Sequence, residues 1–211
     1  MQAALSLVFL IAVGWQPAPP ANTCAGCHKD LTEAKLSAPI RAIENDVHGS
    51  RGLSCVNCHG GDATQSDKKL AMNPAKGFVG KPKPAAVASF CGKCHSNAAF
   101  MKTYNPVLRV DQEAEYRTSV HSRRIAEGDT KPATCISCHG HHDVRAVKDT
   151  SAPVYPMRVA ETCGRCHVDS EYMKSYKIPA DQFAKYKTSV HAEARISDEL
   201  LFGGSCGNVI Q

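Results

Sequence analysis

The sequence predicts a mainly α, loop-rich chain built from repeated units, with little or no β-sheet. Three observations carry this. The pentapeptide C-x-x-C-H occurs five times, the chain aligns on itself at offsets of 72 and 70 residues, and the stretches between motifs place apolar residues at helical spacing without strand alternation. Composition agrees: among 211 residues there are 11 cysteines and 10 histidines but one tryptophan, six tyrosines and six phenylalanines. With aromatics at 6%, few bulky side chains remain for a conventional core, so a cofactor is expected to supply much of the buried apolar surface. Charged residues at 21% alongside helical stretches argue against wholesale disorder. The formal charge of +5 is not gathered into a basic block, which argues against a nucleic-acid partner.

The chain begins with an apolar run from Leu5 to Val13, shorter than the roughly 20 residues of a membrane-spanning helix. It reads as the core of a signal peptide over residues 1–14, with its end between 14 and 21. Ala12-Val13-Gly14 offers a small-x-small cleavage site, and Trp15 with Pro17, Pro19 and Pro20 leads toward the first cysteine. No Lys or Arg precedes the run, and an uncleaved anchor is the alternative. No later stretch is long and apolar enough to cross a bilayer, so the mature chain is expected to lack a transmembrane helix and to be exported, periplasmic or extracellular.

Ten cysteines fall into identical frames: Cys24-Ala-Gly-Cys27-His28, Cys55-Val-Asn-Cys58-His59, Cys91-Gly-Lys-Cys94-His95, Cys135-Ile-Ser-Cys138-His139 and Cys163-Gly-Arg-Cys166-His167. Each matches the attachment signature of c-type haem. Two thiols on one turn can add to the two vinyl groups of a single haem, while the following imidazole is carried under the iron as proximal ligand. Zinc would use two C-x-x-C pairs per site, leaving one pair over and the histidine without a role. A disulfide framework requires no histidine after the second thiol, and thioredoxin-like chemistry needs one C-x-x-C near a βαβ pattern that is absent. The expected cofactor is therefore haem c, five copies, covalently bound, with His28, His59, His95, His139 and His167 on the proximal side.

Five histidines remain, His48, His121, His141, His142 and His191, as many as the haems. Three recur in one setting: Asp46-Val47-His48, Ser119-Val120-His121 and Ser189-Val190-His191. These three and His142 are the expected distal ligands. Adjacent side chains diverge, so His141 and His142 are not expected on one haem. One sixth position is left to His141, to one of Met72, Met101, Met157 and Met173, or to an exchangeable ligand. Each methionine is more simply read as a gap-filling apolar side chain.

The self-alignment sets the organisation. At an offset of 72, Cys91 to His95 meets Cys163 to His167 and Phe100 to Tyr104 meets Tyr172 to Tyr176; at 70, Tyr116 to His121 meets Tyr186 to His191. The expected units are 15–72 with two haems, a Pro/Gly linker at 73–84, 85–145 with two haems, and 146–211 with one. Each complete unit reads as an opening motif, a helical stretch ending in V-H, and a closing motif followed by glycine. In the third, Cys206 lies 15 positions after His191, as Cys135 lies 14 after His121, but neither second cysteine nor histidine follows. Helices are expected from Ser37 with Pro39 to a stop at Gly49, from Asp111 to Glu127, and after Pro179, each placing its V-H histidine near its end.

With these residues on view, the sequence resembles the bacterial periplasmic multihaem c-type cytochromes, through the C-x-x-C-H repeats, the CHG-x-H-D-V segment at Cys138 to Val144 and the S-V-H segments. The likeness covers roughly Cys24 to His191. It implies helical, loop-rich chains around closely spaced haems, commonly with two histidines per iron. It also implies redox protein partners: a quinol dehydrogenase or another cytochrome as donor and a terminal reductase as acceptor. An iron held by two imidazoles has no vacant position, so outer-sphere electron transfer rather than catalysis is expected, at low potential because no thioether ligand raises it. Each ferric bis-histidine haem with ionised propionates contributes about −1, so five bring the formal +5 to about neutral and full reduction takes it to about −5. Two other readings compete: a reductase or oxidase of a small nitrogen or sulfur compound at a haem lacking its distal ligand, and a subunit of an extracellular haem filament in which His191 ligates a neighbour's haem. The C-x-x-C-K motif of some multihaem nitrite reductases is absent.

Overall fold

The computed structural model describes residues 22–193, and among these the fold is helical and loop-rich with no strand, as the sequence predicts. In chain order the helices are α1 (Thr23–His28), α2 (Ala34–Ala42), α3 (Cys55–His59) and α4 (Lys68–Ala71). There follow α5 (Pro84–His95), α6 (Ala98–Lys102), α7 (Gln112–Thr118), α8 (Val120–Ala126) and α9 (Cys135–His139). Then come α10 (Val159–His167), α11 (Ser170–Lys174) and α12 (Gln182–Lys187). Every C-x-x-C-H closes a helix, with its histidine as the last helical residue.

The repeat is visible in local chemistry. Asn97 and Asp169, 72 residues apart, cap α6 and α11 by accepting the N–H of Phe100 and of Tyr172 at 3.0 and 2.9 Å. Helix α7 lies across α5 and α12 across α10, and the contact point is the glycine of the opening motif. A Cβ at Gly92 would stand 1.7 Å from the Glu113 carboxylate, and one at Gly164 would stand 3.3 Å from the Phe183 ring. Glu113 and Phe183 are themselves related by the offset of 70.

The apolar core is sparse. Among the described residues only Val87 and Ala88 of α5, Ile125 of α8, Ala152 and Met173 of α11 are buried apolar side chains, whereas Val107, Val120, Val147 and Val190 are exposed. At about 1.5–3 kcal/mol for each fully buried large aliphatic side chain, five positions of which two are alanine fall far short of the conformational entropy of ordering such a chain. Met173 sits in this core as a gap-filling side chain.

All three expected helices differ from expectation, each because a side chain competes with the helix. The first begins at Ala34, and Ser37 does not cap it but donates from its hydroxyl to the Glu33 carbonyl at 3.4 Å, with Pro39 inside. It ends at Ala42, passes through a 3-10 turn at Ile43–Asn45 and becomes extended at Asp46, whose carboxylate takes the His48 N–H at 2.7 Å. The expected 111–127 helix is two helices broken at Ser119. Its hydroxyl accepts the Ser122 N–H at 3.1 Å, while the Arg123 guanidinium caps the Thr118 carbonyl. His121 is thus in the first turn of a new helix and not near the end of a long one. Ser189 repeats the device, its hydroxyl facing the Ala192 N–H at 3.4 Å with helical backbone resuming at Val190.

Candidate functional site

The motifs are built in two ways. The closing motifs, α3 and α9, are isolated five-residue helices stabilised by what flanks them. Ser54 N–H donates to Asn57 Oδ1 at 2.7 Å and Thr134 N–H to Ser137 Oγ at 3.0 Å, the reach-back half of a capping box, so the third residue of C-x-x-C-H holds the turn together. Gly60 and Gly140, with φ of 66° and 79°, then end the helix; a Cβ at Gly60 would lie 2.1 Å from the Gly77 carbonyl. Segment 73–84 folds back on α3: Val79 N–H donates to the His59 carbonyl at 2.7 Å, and His59 Nδ1 donates to the Val79 carbonyl at 2.9 Å. The opening motifs His95 and His167 instead terminate the longer helices α5 and α10. Motif one is anchored through Thr23, whose hydroxyl lies 2.8 and 2.7 Å from the carbonyls of Ala63 and Gln65.

No disulfide joins the ten motif cysteines, and those of consecutive motifs adjoin. Burial first, and then the neighbouring Cys55, pushes the Cys24 thiol up. Burial and then Cys94 do the same to Cys58, and burial and then Cys163 to Cys138. Between motifs three and four the thiols hydrogen-bond, which raises Cys91 and lowers Cys135 to about 7. The attachment points therefore follow one another through space in sequence order.

Histidines complete the arrangement. The ring of His48 lies 5.9 Å from that of His95, His142 lies 6.0 Å from His59, and His121 lies 6.3 Å from His167, centroid to centroid. Each contact joins a motif histidine to one of the histidines expected on the distal side. Two imidazoles bound across one metal, with N–metal bonds of about 2.0 Å, place their centroids roughly 6.3 Å apart, so the spacing fits an iron between them. Stacked rings fall in the same range, but stacking gives no reason for the pairing to be so selective. The pairing also repeats: His48 and His121 lie 73 positions apart and His95 and His167 lie 72 apart, so the two contacts are repeat-related.

Protonation suits ligation, which requires neutral imidazole. Burial lowers the pKa of His95, His121, His139 and His142, helped in turn by His48 for His95, by His167 for His121 and by His141 for His142. Hydrogen bonds at Nδ1 leave Nε2 free to bind a metal: His28 donates to the Leu36 carbonyl at 3.2 Å, His59 to that of Val79, and His48 to Asp46 Oδ1 at 2.8 Å.

Not every expected ligand is brought to a partner. His141 Nδ1 lies 3.0 Å from His142 Nδ1, within the same loop. Among the described residues no histidine ring faces His28, His139 or His191 across such a gap. The leader and Cys206 lie outside the described residues. Sequence reasoning missed the residues that orient the imidazoles. Of these only Asp46 left a signal, an aspartate two positions before a histidine, the spacing of an Asx turn.

A family model for cytochrome c3 matches residues 47–168, well over half the chain. The chain belongs to the cytochrome c3 family. This cytochrome is 24% identical over 174 residues to the C-type polyheme cytochrome OmcB of Geobacter sulfurreducens, covering 74% of this chain and 21% of the relative. It is 21% identical over 164 residues to OmcC of the same species, covering 69% and 20%. With cytochrome c-552 of Haemophilus ducreyi it shares 26% over 209 aligned residues, covering 84% and 38%. The chain thus spans about a fifth of the polyheme relatives and well under half of cytochrome c-552. No solved structure matches. The chain is a multihaem c-type cytochrome, and no described helix is long and apolar enough to cross a membrane.

Proposed function

We propose that this cytochrome carries five haems c, attached through Cys24 and Cys27, Cys55 and Cys58, Cys91 and Cys94, Cys135 and Cys138, and Cys163 and Cys166, and passes electrons along them between exported redox partners. The observation that carries this is the selective pairing of His48 with His95, His142 with His59 and His121 with His167 at 5.9–6.3 Å. When bound, each haem supplies a one-electron ferric/ferrous couple. The chain's residues do the rest. The paired histidines would hold the iron from both sides and leave no position for substrate, the Nδ1 acceptors would fix ring orientation, and the adjoining cysteines of consecutive motifs would bring neighbouring sites into contact. Donor and acceptor follow from the family resemblance, a quinol dehydrogenase or another cytochrome and a terminal reductase, with the protein periplasmic or extracellular.

Under this reading the distal ligands cross the units at 15–72, 85–145 and 146–211. The V-H histidine of one unit serves the opening motif of the next, and the histidine after the closing motif of the second unit serves the closing motif of the first. By the same rule none of the five motifs is left for His191 to serve. An enzymatic reading finds its footing only at His28 and His139, the two motif histidines without a ring opposite. Intact mass of the holoprotein with electron paramagnetic resonance of the ferric state tests the proposal: five haem masses and low-spin signals for the three paired sites are expected. Fewer haems, or high-spin iron at the paired sites, overturns it. Carbon monoxide or nitrite binding would locate an open position at the sites of His28 and His139.

A further inference from the structure

Asp46 has fully buried side-chain atoms, 0% exposed, and among the described residues it is the only buried carboxylate. It makes three hydrogen bonds. Oδ1 accepts the His48 backbone N–H at 2.7 Å and His48 Nδ1–H at 2.8 Å, and Oδ2 accepts the Val144 N–H at 2.7 Å. Val47 N–H returns to the Val144 carbonyl at 2.9 Å. One carboxylate thus touches the distal histidine of the third motif and the loop that delivers His142 to the second, across 98 residues of sequence. Among its electrostatic neighbours are Cys58 of the second motif and His142, the proposed distal partner of that motif's histidine.

We infer that Asp46 is a positioning residue that sets the reduction potential of the haem between His95 and His48 and, more weakly, of that between His59 and His142. The inference rests on the proposed axial pairs. A carboxylate accepting Nδ1–H makes an imidazole a stronger donor and fixes its plane, and a buried negative charge favours the more positive iron. Both effects favour the ferric state. His121 and His142 have no such acceptor: the first has only His167 as ring partner, and the second has His141 at its Nδ1. The third site is therefore set apart from the other paired sites, at the middle of the array.

A purely structural Asp46, holding an Asx turn and the Val144 loop, predicts lost stability and unchanged potentials. The two are separated by redox titration with electron paramagnetic resonance on the haem-loaded full chain, wild type and Asp46→Asn. The expected result is one component becoming about tenfold easier to reduce, about 59 mV for one electron, a second moving less in the same direction, the others unmoved and all paired sites still low-spin. Asp46→Glu keeps the charge but moves the acceptor, so the weaker effect on the second component stays near wild type while the signature of the strengthened histidine donor is lost. Unmoved potentials in a fully loaded Asp46→Asn protein, or an equal shift of every haem, overturn the inference. If Asp46→Asn does not assemble, near-infrared magnetic circular dichroism of the wild type decides: one haem with imidazolate character supports the role, and a uniform set of neutral bis-imidazole signatures overturns it. Failure of the haem reading would show separately, as missing haem mass in the wild type.

Discussion

The opening motifs at His95 and His167 and the closing motifs at His59 and His139 share one pentapeptide but are stabilised differently. The openers end helices of 12 and 9 residues and rely on a glycine that lets α7 or α12 approach. The closers are five-residue helices held by a capping box before them and a left-handed glycine after them. A short isolated helix is unstable in water, so the closers draw on local hydrogen bonds where the openers draw on packing. Under the proposed pairing the distal ligands would differ too, arriving at the openers from the preceding unit and at the one paired closer from the following unit.

The sharpest break of this comparison is at the ligands. His142→Ala should convert the site of His59 alone to high-spin iron that binds carbon monoxide, while His48→Ala and His121→Ala should do so at the opening sites of His95 and His167 respectively. Each variant is expected to affect one haem in five, seen by electron paramagnetic resonance and carbon monoxide difference spectra. His141→Ala, one position away, should leave the paired sites low-spin. If His142→Ala and His141→Ala behave alike, the backward delivery to the closing motif is wrong.

The glycines come next. Gly60→Ala meets a backbone carbonyl at 2.1 Å from a φ of 66°, which no side-chain motion relieves. A loss of more than about 3 kcal/mol, or failed haem loading, is expected. Gly92→Ala collides instead with the end of Glu113, a side chain that can swing away after giving up Arg117 at 2.5 Å and Ser96 at 3.0 Å. About 1 kcal/mol is expected there. Guanidinium unfolding of the holoproteins compares the two, and an equal cost would mean that closers and openers use their glycines in the same way.

Smaller still is the cap. Asn57→Ala and Ser137→Ala should each cost about 1 kcal/mol, whereas truncating Lys93 or Arg165, which occupy the same position in the openers, should cost little. A lowered unfolding midpoint for the first pair alone is the expected outcome.

What was legible in the sequence follows the same division. The motifs, the repeat and the histidines that pair were all readable, because thioether attachment fixes cysteine spacing and the repeat fixes where ligands recur. The helix from 111 to 127 was misjudged because Ser119 carries a cap that composition does not reveal, and a helix expected from Ser37 began at Ala34 because the Ser37 hydroxyl turns back on the chain. Asp46 escaped because its second partner, Val144, lies 98 residues away, and Val79 because a backbone carbonyl leaves no trace in residue type. Local competition and long-range partners are what a one-dimensional pattern omits.

The smallest effect concerns how the third unit steadies the approach to a closing motif. Tyr176 donates to Asp129 Oδ2 at 2.7 Å and Tyr172 to the Lys131 carbonyl, pinning the loop before α9. The hydrogen bond to Asp129 pushes the Tyr176 phenol up to about 12, and the same bond, followed by the Lys131 backbone N–H, holds Asp129 below the usual carboxylate range. Because the folded pKa of Asp129 is depressed, its contribution is present above the unfolded value of about 3.9 and fades as pH falls through the folded one. Because that of Tyr176 is raised, its contribution is complete below the unfolded value of about 10 and fades as pH rises toward 12. The difference in thermal midpoint between wild type and Tyr176→Phe should therefore be flat through neutral pH and shrink at both extremes. Both groups are only partly buried, so the plateau should be low, and a difference that ignored pH would assign the tyrosine to packing alone.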